Sequence, residues 1–172
     1  SMATAGRRVM QVSLEDMRTS CILRAISQRS LVALSDLITG TAPETHKQLA
    51  RVAAKDIADL GDRWLVRDDL PAGKFSKLLA EVQRVHDKTP IDFLIVDYLQ
   101  LCRDTTTRYA GRVEELDAIV NSLCAFAREN RIAALLCAQL NRSATDHRPR
   151  PHHLRGSGNI EHASHKIVIL EP

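Results

Sequence analysis

The sequence predicts an α/β fold with a mainly parallel sheet and helices on both faces. Three observations carry this. Phe93-Leu94-Ile95-Val96 is a short apolar run that stops on Asp97, the pattern of a strand buried on both faces. Ile132–Ala138 repeats it and stops on Gln139. Between such runs lie stretches with helical apolar spacing, and strands alternating with helices imply parallel βαβ crossovers.

Taken in order, Arg8–Leu14 reads as a strand ended by Glu15-Asp16. A helix follows, with Met17, Cys21, Ile22, Ala25 and Ile26 at helical spacing. Ser35–Gly40 reads as a short helix or turn closed by glycine. Glu44–Leu60 is a helix with Leu49, Val52, Ala53, Ile57 and Leu60 on one face, stopped by Gly61. Trp64–Val66 is a short strand before Asp68-Asp69, and Lys74–His86 is a further helix. Asp104–Gly111, polar and threonine-rich, reads as a mobile loop. Arg112–Asn130 is the clearest helix, with Val113, Leu116, Ile119, Val120 and Leu123 in one stripe. Residues 141–163 read as irregular, and Lys166–Leu170 (KIVIL) as a last strand. Neither an internal repeat nor a second domain is visible.

Composition is that of an ordinary globular chain of one domain: 172 residues, 44% hydrophobic and 26% charged. Aromatics make up only 3%, so the core is aliphatic. Net charge is +3, but its distribution is uneven. Arg142, Arg148, Arg150, Arg155 and Lys166 cluster against only Asp146 and Glu161, a segment suited to phosphates or simply a solvated basic loop. The four cysteines, Cys21, Cys102, Cys124 and Cys137, form no C-x-x-C pair. They read as reduced thiols of a cytoplasmic protein. No uncharged run approaches a membrane span. The histidines near residue 160 lack the spacing of a tetrahedral zinc site. Residues 1–7 read as a tag remnant and flexible lead-in, and 8–172 as the domain proper.

Four polar positions follow apolar runs: Glu15, Asp68/Asp69, Asp97 and Gln139. In a parallel sheet their strands end along one edge, where α/β folds bind ligands. Phosphoryl transfer uses such parts: an aspartate to hold Mg²⁺, a second carboxylate to polarise water, a neutral side chain near the γ-phosphate. The plainer explanation is that turns favour Asp and Asn at strand ends. A G-x-x-x-x-G-K-[ST] phosphate loop is not in the sequence, and Pro71–Ser76 (PAGKFS) does not substitute for it.

SLED at 13–16, DYLQL at 97–101, QLNR at 139–142 and LRGSGNIE at 154–161 together resemble successive motifs of the DnaB-type replicative helicases, hexameric motors with a RecA-like ATPase domain. The resemblance spans Arg8 to Leu170. It implies a RecA-like three-layer α/β/α fold from which the phosphate-loop (Walker A) strand is missing. It implies that Glu15 activates water, that Asp97 is the Walker B aspartate holding Mg²⁺ through water, and that Gln139 senses the γ-phosphate. It implies that Arg142 binds nucleotide and that Arg155, Gly156 and Gly158 hold single-stranded DNA. ATP and Mg²⁺ are the implied cofactors of the complete protein. Single-stranded DNA, a homo-hexameric ring and replication proteins such as a loader or primase are the implied partners. The expected function is that of a motor-domain fragment of an ATP-hydrolysing DNA helicase, inactive alone because Walker A is absent. The alternative is a non-catalytic DNA-binding or ring-assembly module of the same fold. A RecA-type recombination ATPase is disfavoured because it lacks the DYLQL and QLNR pairing.

Overall fold

The structure is a computed structural model that describes residues 3–140, 150, 153–154 and 158–170. Four strands form one sheet: β1 (Val9–Ser13), β2 (Trp64–Arg67), β3 (Phe93–Asp97) and β4 (Ala133–Leu136). Every pairing is parallel, in the order β2-β1-β3-β4. The helices are α1 (Arg18–Ser30), α2 (Leu34–Thr39), α3 (Glu44–Ala58), α4 (Phe75–Lys88), α5 (Arg112–Glu129) and α6 (Gly158–Ala163). The predicted α/β class and alternation are present.

Side chains alternate across a strand, and here each set meets a different layer. Met10, Val12, Leu94 and Val96 point into the main core, with Leu78 and Val82 of α4, Leu116, Ile119, Val120 and Leu123 of α5, and Ile160 of α6. Leu78, Leu94, Leu116 and Leu123 are completely buried, so truncating any one to alanine costs about 2–5 kcal/mol. On the other face Val9, Trp64, Phe93 and Ile95 meet Ala3, Ile57 and Leu60, and α1 packs on α3. The segment before β1 is packed too: Ala3 is buried, and the Arg8 N–H donates to the Asp92 carboxylate at 2.8 Å.

Several sequence expectations change. β3 is not buried on both faces: Leu94 and Val96 are, whereas Phe93, Ile95 and Asp97 are half-buried. The second layer covers β1 and β2 but thins toward β4, where Leu135 is 49% exposed. Lys166–Leu170 forms no strand, and Val168 and Leu170 are exposed. An apolar run becomes a strand only where its backbone finds a ladder partner. Leu49 and Val52 are exposed, so the buried stripe of α3 is narrower than its apolar spacing suggests. The threonine-rich loop is pinned rather than loose. The Asp104 carboxylate accepts from the Thr106 N–H at 3.0 Å and the Tyr109 hydroxyl at 2.9 Å. The Thr105 hydroxyl donates to the Gly73 carbonyl at 3.1 Å.

Candidate functional site at the carboxyl edge of the sheet

All four strands run the same way, so their carboxyl ends share one edge. Ser13 lies opposite Asp97 in the register of β1 and β3. The ladder continues one step further, where the Leu14 N–H donates to the Asp97 carbonyl at 2.7 Å. Glu15, the next residue, is exposed. Its strand and that of Asp97 are therefore immediate neighbours. On the other side of β3, pairing with β4 also runs past the strand ends. The Cys137 N–H donates to the Val96 carbonyl and the Leu99 N–H to the Cys137 carbonyl, both at 3.0 Å. Gln139, exposed, follows two residues later. Glu15, Asp97 and Gln139 thus issue from three adjacent strands on one edge.

Asp97 ends β3. It is half-buried, and among the described residues its carboxylate makes no hydrogen bond or ion pair. Burial first, and the Asp97 charge second, push the neighbouring Cys137 thiol up from its usual range. A lone, accessible carboxylate suits a magnesium ion that keeps most of its water shell. The Asp97–Tyr98 peptide is cis.

Asp68 and Asp69 have structural roles instead. The Asp68 carboxylate accepts the Arg18 N–H at 2.7 Å and caps α1. Asp69 pairs with Arg67 at 2.7 Å, which holds its carboxyl below the usual range. Both also follow β2, at the far end of the strand order from β4. For these two, the plainer turn-and-cap explanation holds.

Arg142, Arg155 and Gly156 lie outside the described residues. Gly158 opens α6, a helix held to the core through Ile160 and its packing on α5. Leu140 and Leu154 pair as an isolated antiparallel bridge, and Leu154 packs on the main core.

Sequence reasoning passed over Gln100. It lies in the turn Leu99–Leu101 after β3, and its side-chain oxygen accepts the Gln139 N–H at 3.1 Å. The signal was present in the DYLQL motif, but nothing in the sequence shows which backbone a glutamine reaches. Arg112 was equally unmarked. It opens α5 and donates to the carbonyls of Gln100 and Cys102 at 3.0 and 2.8 Å.

The family described as the DnaB-like helicase C terminal domain matches residues 1–171. The chain belongs to this family. The replicative DNA helicase DnaB of Mycobacterium leprae is 28% identical over 161 residues, 92% of this chain and 26% of that protein. DnaB of Rickettsia bellii is 30% identical over 161 residues, with 92% and 32% covered. The chain thus spans about a third or less of these relatives. Two solved structures share the fold. A DnaB-like replicative helicase studied with primase superposes at TM-score 0.83 and 20% identity, covering 95% of this chain and 40% of the other. The ATPase domain of G40P does so at 0.82 and 21%, covering 95% and 58%. The fold of this DnaB-family chain is therefore RecA-like, as the resemblance implied. No described helix is long and apolar enough to cross a membrane.

Proposed function

We propose that residues 8–172 are part of the ATP-driven motor of a replicative DNA helicase, which unwinds duplex DNA by translocating on single strands. The observation that carries this reading is the convergence of Glu15, Asp97 and Gln139 on one edge from three adjacent parallel strands. Bound Mg²⁺ would neutralise charge on the ATP phosphates. Asp97 would hold that ion through its water shell. Glu15, exposed after the neighbouring strand, orients and polarises the attacking water. Gln139 presents an uncharged amide to the γ-phosphate, and Arg142 adds a cation to the nucleotide. Because Glu15, Asp97 and Gln139 issue from separate strands, one nucleotide can touch several elements at once. Family membership and the small share of each relative covered support placing the phosphate loop in a segment outside these 172 residues.

Arg155, Gly156 and Gly158 grip the DNA backbone. Arginine supplies charge, and the glycines allow backbone N–H groups to approach phosphates without reading bases. Family membership supports a homo-hexameric ring and a primase or loader partner. The second reading, a non-catalytic DNA-binding or ring-assembly module, is favoured by one fact: no phosphate-loop motif lies within the 172 residues.

Strand displacement on a forked duplex separates the two. With the full-length protein, ATP and Mg²⁺, the motor reading expects the strand to be released and Asp97→Asn to block release. Binding without ATP-dependent release supports the module. The 172-residue chain alone is expected to hydrolyse no ATP above background, and robust turnover that Asp97→Asn abolishes would contradict that.

A further inference from the structure

Among the described residues, hydrogen bonds of two kinds tie the turn after β3 to the chain leaving β4. One is the backbone bond from the Leu99 N–H to the Cys137 carbonyl, which any residue at these positions could make. The other needs a particular side chain, the Gln100 carboxamide oxygen, which accepts the Gln139 N–H at 3.1 Å. Gln100 is itself held from behind. Arg112 Nη2 donates to its carbonyl at 3.0 Å, and Arg112 Nη1 lies 2.7 Å from the Glu115 carboxylate. Glu115, only 12% exposed, also accepts the Asp104 N–H at 2.7 Å. Burial alone would raise its carboxyl, but the Arg112 and Asp104 donors hold it below the usual range. The base of this bridge is thus a charged pair on α5, Arg112 with Glu115, and its tip includes an exposed neutral hydrogen bond to the Gln139 N–H.

We propose that Gln100 is a positioning residue that sets where Gln139 stands relative to Asp97. This deepens the motor reading and rests on it. Asp97 and Gln100 are three residues apart on one turn, so the contact references the γ-phosphate sensor to the residue holding the metal. A neutral hydrogen bond near solvent contributes little net free energy. It biases Gln139 toward one position without locking it there, as a sensor with two positions requires. Glutamate at 100 keeps an acceptor oxygen at the same reach. Leucine keeps comparable bulk and removes the acceptor.

The test compares Gln100→Leu and Gln100→Glu in two measurements. Amide exchange at Gln139 in the 172-residue chain, read by NMR, should quicken about fivefold in Gln100→Leu and stay near the original in Gln100→Glu, with Leu136 unchanged in both. ATPase of the full-length protein, measured with and without a single-stranded oligonucleotide, should lose most of its DNA stimulation in Gln100→Leu and recover it in Gln100→Glu. A merely structural contact would change melting temperature but not that ratio. Unchanged exchange at Gln139, or changed exchange with unchanged stimulation, overturns the role of Gln100 while leaving the motor reading intact. Absence of DNA-stimulated hydrolysis in the unsubstituted full-length protein overturns the motor reading and this role with it.

Discussion

The Asp68 carboxylate accepts the backbone N–H of Arg18 at 2.7 Å, from 50 residues away in sequence. The carboxyl end of β2 thereby caps α1, whose own N-cap residue, Met17, has no side chain able to do so. Asp68→Ala should cost about 1 kcal/mol, as loss of a helix cap does. That is a fall of about 2–4 °C in melting temperature for a chain of this size. ATP turnover by the full-length protein should stay within about twofold, since exposed positions outside a site seldom matter more. Thermal melts paired with ATPase assays check both outcomes.

Burial at β4 is incomplete, with Leu135 49% exposed and the outer edge of the strand unpaired among the described residues. Leu135→Lys should therefore cost the 172-residue chain under about 1 kcal/mol. In a longer protein where a further strand and its helix cover this corner, the same change buries an unpaired charge and should cost more than about 2 kcal/mol. Denaturant melts of both forms measure the difference. A large loss in the short chain would show that this corner is already covered.

Arg84 first, then Arg67, hold the Glu81 carboxyl down at about 2, against an ordinary value of 4.5. The folded state therefore favours the ionised form. Its stabilising contribution is complete above about pH 5 and fades as pH falls toward 2. The melting-temperature gap between the original chain and Glu81→Gln should be widest near neutrality and close on acidification. It should also shrink in high salt, since the group lies near solvent. A gap that widens in acid would contradict the assignment.

Burial pushes the Cys102 thiol up to about 12, so almost none is thiolate at neutral pH and alkylation should be slow. Cys124 is only partly buried. Mass spectrometry after brief iodoacetamide treatment should find Cys124 modified and Cys102 intact until denaturant is added.

Much of the fold was legible because local pattern and tertiary environment agree. Leu94 and Val96 of the apolar run to Asp97 and the stripe Leu116–Ile119–Val120–Leu123 are core, and Gly40 takes the left-handed φ of 71° at the end of α2. Misreadings arose where environment decides. KIVIL has the composition of a strand but no ladder partner. Leu49 and Val52 have helical spacing, but no layer lies over them. Threonines that read as a loose loop instead saturate the Asp104 carboxylate. At the proposed site, Asp97 and Gln139 were visible because they interrupt apolar runs. Asp68 was indistinguishable from them, since a helix cap and a metal ligand place the same residue at the same strand end. Gln100 was hidden because its partner is a backbone N–H on another strand.

The most direct measurement is single-stranded-DNA-stimulated ATPase of the full-length protein, with and without Asp97→Asn. Among the described residues that carboxylate makes no hydrogen bond or ion pair, so the substitution should change stability by less than about 0.5 kcal/mol. Turnover should fall about a hundredfold or more, the cost of losing metal-assisted charge stabilisation. Undiminished, DNA-stimulated hydrolysis by a folded Asp97→Asn protein would contradict the placement of the motor's metal site at the end of β3.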